Sequence, residues 1–225
     1  MTSARVRMIL GVLTLVGLTV GLYLGLVWAP PDAYQGQVQR IMYVHVPSAW
    51  VAYLAFLVVF ISSILYLWRG NPAFDQVAHA SAEVGVVFTG LAILAGSIWG
   101  KPTWGVWWTW DARLTTTAIL LLIYIGYLML RSFVEDQSRG ARYAAVLGIV
   151  GFLDIPIIHK SVEWWRTLHQ PPSVMRPEGS AVAPPMLFTL LVSVAAFTLL
   201  YLYLLSQRLH LEHLDAEILE RNREG

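Results

Sequence analysis

The chain of 225 residues is 57% hydrophobic and only 13% charged, with a mean hydropathy of +0.60 and a formal net charge of +1. Soluble domains carry about 25% charged residues, so a water-soluble enzyme is excluded, and the near-neutral balance excludes a broad nucleic-acid surface. The absence of cysteine excludes disulfides, thiolate metal sites, iron–sulfur ligation and thioether attachment of a prosthetic group, so any cofactor is held noncovalently, mostly by His.

Residues 8–28 form the first predicted element, 21 positions without a charge, enough at 1.5 Å per residue to cross a hydrocarbon core of roughly 30 Å. Arg5 and Arg7 precede it as they would a signal peptide, but the apolar stretch is longer than such a region, and Pro30 and Pro31 disfavour cleavage after Ala29. It reads as a retained anchor. Gly17, Gly21 and Gly25 recur every fourth residue on one face, where another helix can approach closely. Further apolar stretches at about 47–68, 82–99, 114–130, 143–158 and 184–205 are bounded by Arg, Gly, Pro or Asp clusters. The expected architecture is all-α: a polytopic membrane protein with six transmembrane helices forming a single integral membrane domain over 1–225. Glu83, near the start of span three, and Asp154, inside span five, are the acids expected at membrane depth. Residues 206–225 read as a cytoplasmic tail, in which Leu211, Leu214 and Ile218 give a short amphipathic helix lying on the bilayer or a partner.

An even number of spans puts both termini on one side and the loops after spans one, three and five on the other. The termini and even loops carry nine arginines (5, 7, 69, 131, 139, 142, 208, 221 and 223), against Arg40, Lys101, Arg113, Lys160, Arg166 and Arg176 opposite. This excess places the termini in the cytoplasm. His79, His210 and His213 then fall on the cytoplasmic side as solvated polar residues.

The first outer loop ends in Arg40-Ile-Met-Tyr-Val-His45-Val-Pro47, with Pro47 suited to the first turn of span two and His45 at the membrane surface. The middle outer loop, 100–113, places Trp104, Trp107, Trp108 and Trp110 within seven positions, followed by Asp111 and Arg113. The third carries Val162-Glu163-Trp164-Trp165-Arg166-Thr167-Leu168-His169-Gln170-Pro171, in which Trp165 and His169 share a face if the stretch is helical. An interfacial aromatic belt accounts for tryptophan in general. Concentration in two loops on one side points instead to a platform for a large flat apolar ligand, each stacking pair adding about 0.5–1.5 kcal/mol beyond area burial.

A porphyrin is such a ligand, and imidazoles from opposite faces would fill both axial positions of its iron. His45 and His169 are the candidate axial ligands, with His159 third. Haem propionates require cationic partners, for which Arg40 and Arg113 are the first candidates. Asp111 pairs with Arg113, caps span four, or holds a polar edge of the ligand.

Trp104 to Thr115 reads WGVWWTWDARLT, which resembles the tryptophan-rich WWD motif of haem-handling membrane proteins in cytochrome c maturation. The DARLT ending resembles the cytochrome c maturation protein C (CcmC) family, whereas synthetase and ligase relatives look more like WDPKE or WDPVE here. RIMYVHVPSAW and SVEWWRTLHQ are similar to that family's first and third periplasmic segments. The resemblance, spanning all six helices, implies a bacterial inner-membrane protein that holds haem b noncovalently at its periplasmic face and delivers it to the haem chaperone CcmE. It implies axial ligands at His45 and His169, a Trp motif that binds haem and supports the chaperone encounter, and functional roles at Arg40 and Arg113. Implied partners are CcmA, CcmB and CcmD in an ABC-type complex.

The chain is expected to be a haem-handling subunit and not an enzyme. Its only Gly-Lys pair, Gly100-Lys101, precedes Pro102 where a phosphate-binding loop requires Ser or Thr, and Ala95 stands where the first Gly belongs. Two other readings remain open: a transporter moving haem or another amphipathic substrate through its own bundle, with Glu83 and Asp154 as relay acids, and a structural permease subunit with an aromatic belt.

Overall fold

The structure, a computed structural model, describes residues 3–174 and 176–224; of the expected tail, Gly225 lies outside the described residues. Helices α1 (Ala4–Tyr23), α2 (Met42–Arg69), α3 (Pro72–Trp104), α4 (Ala112–Phe133), α5 (Gln137–Phe152), α6 (Asp154–Trp164) and α7 (Pro184–Glu224) account for most of the chain. A π turn over Leu24–Trp28 extends α1, and a 3-10 turn over Gln37–Ile41 leads into α2. Six helical segments are long and apolar enough to cross a membrane, α5 and α6 together forming the fifth.

The helix starts follow from side-chain capping of amides that have no partner within the helix. Ser3 accepts from Val6 N, Asn71 from Ala73 N with Pro72 at the first helical position, Asp111 from Leu114 N, and Asp136 from Ser138 N and Arg139 N. Gly70 and Gly105 end α2 and α3 in the left-handed region, at φ 66° and 83°, where a Cβ would be strained.

Several boundaries differ from the expectation. Span two begins before Pro47, which sits in the second turn of α2, so His45 lies within the helix. Proline there removes one amide, and the adjacent Ser48 Oγ gives its own hydrogen to Val44 O at 2.7 Å. Span three runs through Pro102 to Trp104, with Thr103 Oγ1 donating to Trp99 O at 2.7 Å, which leaves only 105–111 as loop where 100–113 was expected. Span five breaks at Leu153; Pro156 is then near the start of α6, where a missing amide is harmless. α6 ends at Trp164, so Trp165 and His169 share no helix face. Span six and the expected separate amphipathic helix are one helix, α7, with Leu211, Leu214 and Ile218 exposed on its far end.

α2 is the centre of the bundle, paired along its length with α3 and flanked by α5 and α7; α1 packs on α7. The α1 glycines serve that contact: Gly17 faces Ala196 and Gly21 faces Ser193. Midway along the bundle Val51, Ala55, Phe56, Val59, Leu120 and Tyr124 are completely buried, with Phe56 stacked on Tyr124 at 3.6 Å between centroids. Tyr201 and Ser81 hydroxyls meet at 2.7 Å, and Ser81 Oγ donates to Ala55 O, tying α7, α3 and α2 together.

The loops after the first, third and fifth spans gather at one end, which also carries the tryptophan motif. At the opposite end ionic groups pair across helices. Arg131 of α4 meets both oxygens of Asp75 of α3 at 2.5 and 2.7 Å, and Arg208 of α7 pairs with Glu83. His79 is not simply solvated: its Nδ1 lies 3.1 Å from Glu212, while His213 pairs with Glu217 at 2.9 Å. Glu83 thereby gains a counterion. Asp154, at the α5–α6 break, has one buried oxygen with no protein partner.

Candidate functional site

His45 projects from α2 onto α3. Its Nδ1 lies 2.9 Å from the backbone oxygen of Ala92; a carbonyl only accepts, so Nδ1 carries the proton and Nε2 keeps its lone pair. The ring rests against Gly96, where a Cβ would lie 2.9 Å from Cε1 and 3.2 Å from Nδ1. Its edge meets Trp99 at 5.7 Å between centroids.

His169 reaches the same place from the long loop before α7. It meets Trp104, at the end of α3, edge-on at 6.0 Å, so each imidazole has one α3 indole beside it. Both histidines line a cavity of about 50 Å³ together with Trp99, Trp104, Gln35 and Gln170. Burial, and next the Arg113 charge, push the His169 imidazole down to about 4, so it is neutral near neutral pH.

Arg113 and Asp111 hold the His169 loop to the start of α4. Arg113 donates to His159 O at 3.2 Å and approaches His169 Nδ1 at 3.3 Å. Asp111 accepts from Leu114 N through Oδ1 at 3.0 Å and from Leu168 N through Oδ2 at 3.3 Å. One carboxylate thus caps a helix and pins the loop next to His169. Nδ1 of His169 also lies 3.3 Å from Gln170 O. Arginine only donates and a carbonyl only accepts, so this nitrogen serves one of them at a time. Turned to Arg113 the ring is protonated on Nε2; turned to Gln170 it is protonated on Nδ1, leaving Nε2 free for a metal.

The other expected site residues are distributed around this centre. Trp108 is half-buried and meets the exposed Trp110 edge-on at 5.5 Å. Trp107 is exposed, as are Trp164 and Trp165, which pack edge to face on each other. Of the expected indoles, Trp104 alone meets a histidine, Trp108 is half-buried, and Trp107, Trp110, Trp164 and Trp165 are exposed. Arg40 is committed elsewhere: it donates to Gly25 O at 2.6 Å, to Ala29 O at 2.9 Å and to the Gln37 side chain, closing the end of the first span. His159 is exposed and contributes only its carbonyl to this centre. Sequence reasoning missed Gln35, Trp99 and Gly96. The signal was present in Ala92, Gly96 and Gly100, a small-residue row at fourfold spacing on the span that ends in Trp104.

Among the described residues no three His, Cys, Asp or Glu side chains converge as they would around a bare metal ion. Two imidazoles, one with its tautomer set by a carbonyl, suit an iron that brings its own equatorial ligands. Arg113 Nε is buried without an acceptor, an opening for a ligand carboxylate beside the pair.

Residues 1–224 match the family described as Heme exporter protein C. The chain is 47% identical over 220 residues to the Heme exporter protein C of Bradyrhizobium diazoefficiens, covering 97% of this chain and 81% of that one. It is 42% identical over 206 residues to the protein of the same name from Haemophilus influenzae, covering 91% and 83%. A Marchantia polymorpha chain named as a cytochrome c biosynthesis ccmC-like mitochondrial protein is 40% identical over 178 residues, covering 79% and 75%. The chain belongs to the Heme exporter protein C (CcmC) family.

Proposed function

We propose that this member of the family is a haem-handling subunit of cytochrome c biogenesis that holds haem b noncovalently between His45 and His169 and delivers it to the haem chaperone CcmE. The observation that carries the reading is the shared cavity of these two imidazoles, one fixed on a central helix and one brought by a distant loop. The Trp-rich end faces the periplasm of a bacterial inner membrane, and the arginine-rich end, with both termini, faces the cytoplasm. One integral membrane domain, 1–225, performs this role within an ABC-type assembly with CcmA, CcmB and CcmD. The chain is a transport or handling subunit and not an enzyme.

Each group has a role in this reading. His45 and His169 would hold the haem; when bound, haem would supply the iron and a flat apolar face. Trp104, beside His169, would pack against the ligand, and half-buried Trp108 with exposed Trp107, Trp110, Trp164 and Trp165 would offer it an aromatic flank. Arg113 would meet a propionate through Nε, which has no protein acceptor. Asp111 positions the His169 loop. Arg40 supports the site by fixing the first span against the start of α2. Holding at one face is favoured over passage through the bundle, because completely buried side chains fill the middle of the helices.

The test is a visible spectrum of the protein purified with its membrane partners. A Soret band with bis-histidine features is expected in the wild type and in His79→Ala, with those features lost in His45→Ala and His169→Ala. Equal spectra in all four proteins refute the assignment.

A further inference from the structure

The cavity between the two imidazoles holds about 50 Å³, whereas sites for ligands of drug size and above enclose about 300–1,000 Å³. A porphyrin reaches both histidines only after a wall of this cavity moves. Its walls differ greatly in what holds them. α2 and α3 are joined by a two-residue link and pack along their length. The start of α4 and the His169 loop are cross-braced by Asp111 and Arg113.

The remaining wall is Gln35, which comes from a small closed turn. Asp32 Oδ1 accepts from Tyr34 N and Gln35 N at 2.9 and 2.8 Å. The backbones of Asp32 and Gly36 exchange hydrogen bonds at 3.2 and 3.0 Å, with Gly36 at φ 58°. Pro30 and Pro31 precede the turn and stiffen its approach. The turn therefore holds its shape without help from the bundle. Its side-chain hydrogen bond into the site is from Trp99 Nε1 to Gln35 Oε1, at 2.7 Å, and Trp99 is the indole against His45. Tyr34, next to Gln35, is 99% exposed, so the tip of the turn stands clear of the bundle there.

We propose that the 32–36 turn is a lid on the His45–His169 cavity, latched by the Gln35–Trp99 hydrogen bond, and that Gln35 governs entry and exit of the porphyrin from the loop side. The cargo rests on the functional reading above; the latch itself does not. Opening exchanges one neutral hydrogen bond for bonds to water, and leaves the turn intact. A bond of this kind biases such an equilibrium by roughly fivefold, enough to slow exchange without trapping the ligand.

The absence of native cysteine permits a test free of haem. Thr103 lines the cavity, so Thr103→Cys supplies one thiol there, to be labelled in membranes containing the full chain with a small water-soluble maleimide. Gln35→Leu, which fills similar space but accepts nothing, is expected to speed labelling about fivefold. Gln35→Glu, which still accepts from the indole, is expected to restore the slow rate. Equal rates in all three backgrounds overturn the lid. In a second arm, haemin is mixed with the purified protein; Gln35→Leu is expected to raise association and dissociation rates by a similar factor, with the Soret position unchanged. Haemin binding by none of the proteins would overturn the haem reading, while the labelling rates would still decide the lid.

Discussion

The ring of His45 lies against Gly96 on the neighbouring helix, so close that a single added methyl group would come within 2.9 Å of Cε1. The absence of a side chain at one residue fixes where the other can point. Gly96→Ala is therefore expected to push the imidazole off Ala92 O, weaken the axial-ligand features of the spectrum, and destabilise the protein by about 1–3 kcal/mol through overpacking. Gly90→Ala is the matched control. No atom lies within 4 Å of the Cβ it would gain, and alanine favours helix by up to about 1 kcal/mol, so its spectrum should be unchanged and its thermal stability equal or higher.

The two duties of Asp111 separate by substitution. Serine caps helices about as well as aspartate but has one short-reaching oxygen. Asp111→Ser should keep α4 stable to within about 0.5 kcal/mol yet free Leu168 N, loosening the His169 loop. Haem stoichiometry should fall while the melting temperature holds. A parallel loss of both would mean that the carboxylate acts only as a cap.

Arg40 is predicted to matter for assembly of the first span and not for the spectrum. Arg40→Ala removes charge-assisted bonds to Gly25 O and Ala29 O, each worth about 1.5–3 kcal/mol. The expected result is faster proteolysis near residues 29–36 with an unshifted Soret band in the surviving protein. A shifted band with unchanged proteolysis would instead favour direct propionate contact.

The pH response follows from His169. Its imidazole is held at about 4 in the folded protein, by burial first and Arg113 next, against about 6.5 when unfolded. Between these values the unfolded chain binds more protons, so stability rises with pH across that window. The contribution is complete above pH 6.5 and lost as pH falls towards 4. Thermal stability of the haem-free protein should therefore decline as pH falls from about 6.5 towards about 4. Removing the nearby charge in Arg113→Gln should move the loss to higher pH.

At the opposite end, Asp75 and Arg131 are only 14% and 17% exposed and meet through two hydrogen bonds. A double-mutant cycle with Asp75→Asn and Arg131→Gln should give a coupling of about 1–3 kcal/mol in thermal unfolding. A coupling near zero would mark the pair as no stronger than a surface contact.

The six spans were legible because lipid demands long uncharged runs, and their order followed from counting. Their ends were not. Pro47 and Pro102 look like boundaries in the sequence, yet each removes only one amide, and the hydroxyls of Ser48 and Thr103 donate to neighbouring carbonyls in the same turns. His45 and His169 were legible as a pair because a Trp cluster lay between them. Their actual neighbours were less so. Trp99 looked like one more apolar residue at the end of a span, and Gln35 lies in a turn whose fold depends on Asp32 and Gly36. Arg40 showed its charge in the sequence, but the Gly25 and Ala29 carbonyls that capture it lie at a helix end whose π turn the sequence does not announce.

The two imidazoles that line the cavity differ in readiness. On the helix side, a backbone oxygen keeps the proton of His45 turned away, so Nε2 is available at all times. On the loop side, the proton of His169 changes position according to whether Arg113 or Gln170 is its neighbour. A guest whose acid groups drew Arg113 away would favour the tautomer of His169 with an unprotonated Nε2, so recognition of the guest's charge would ready the loop-side imidazole.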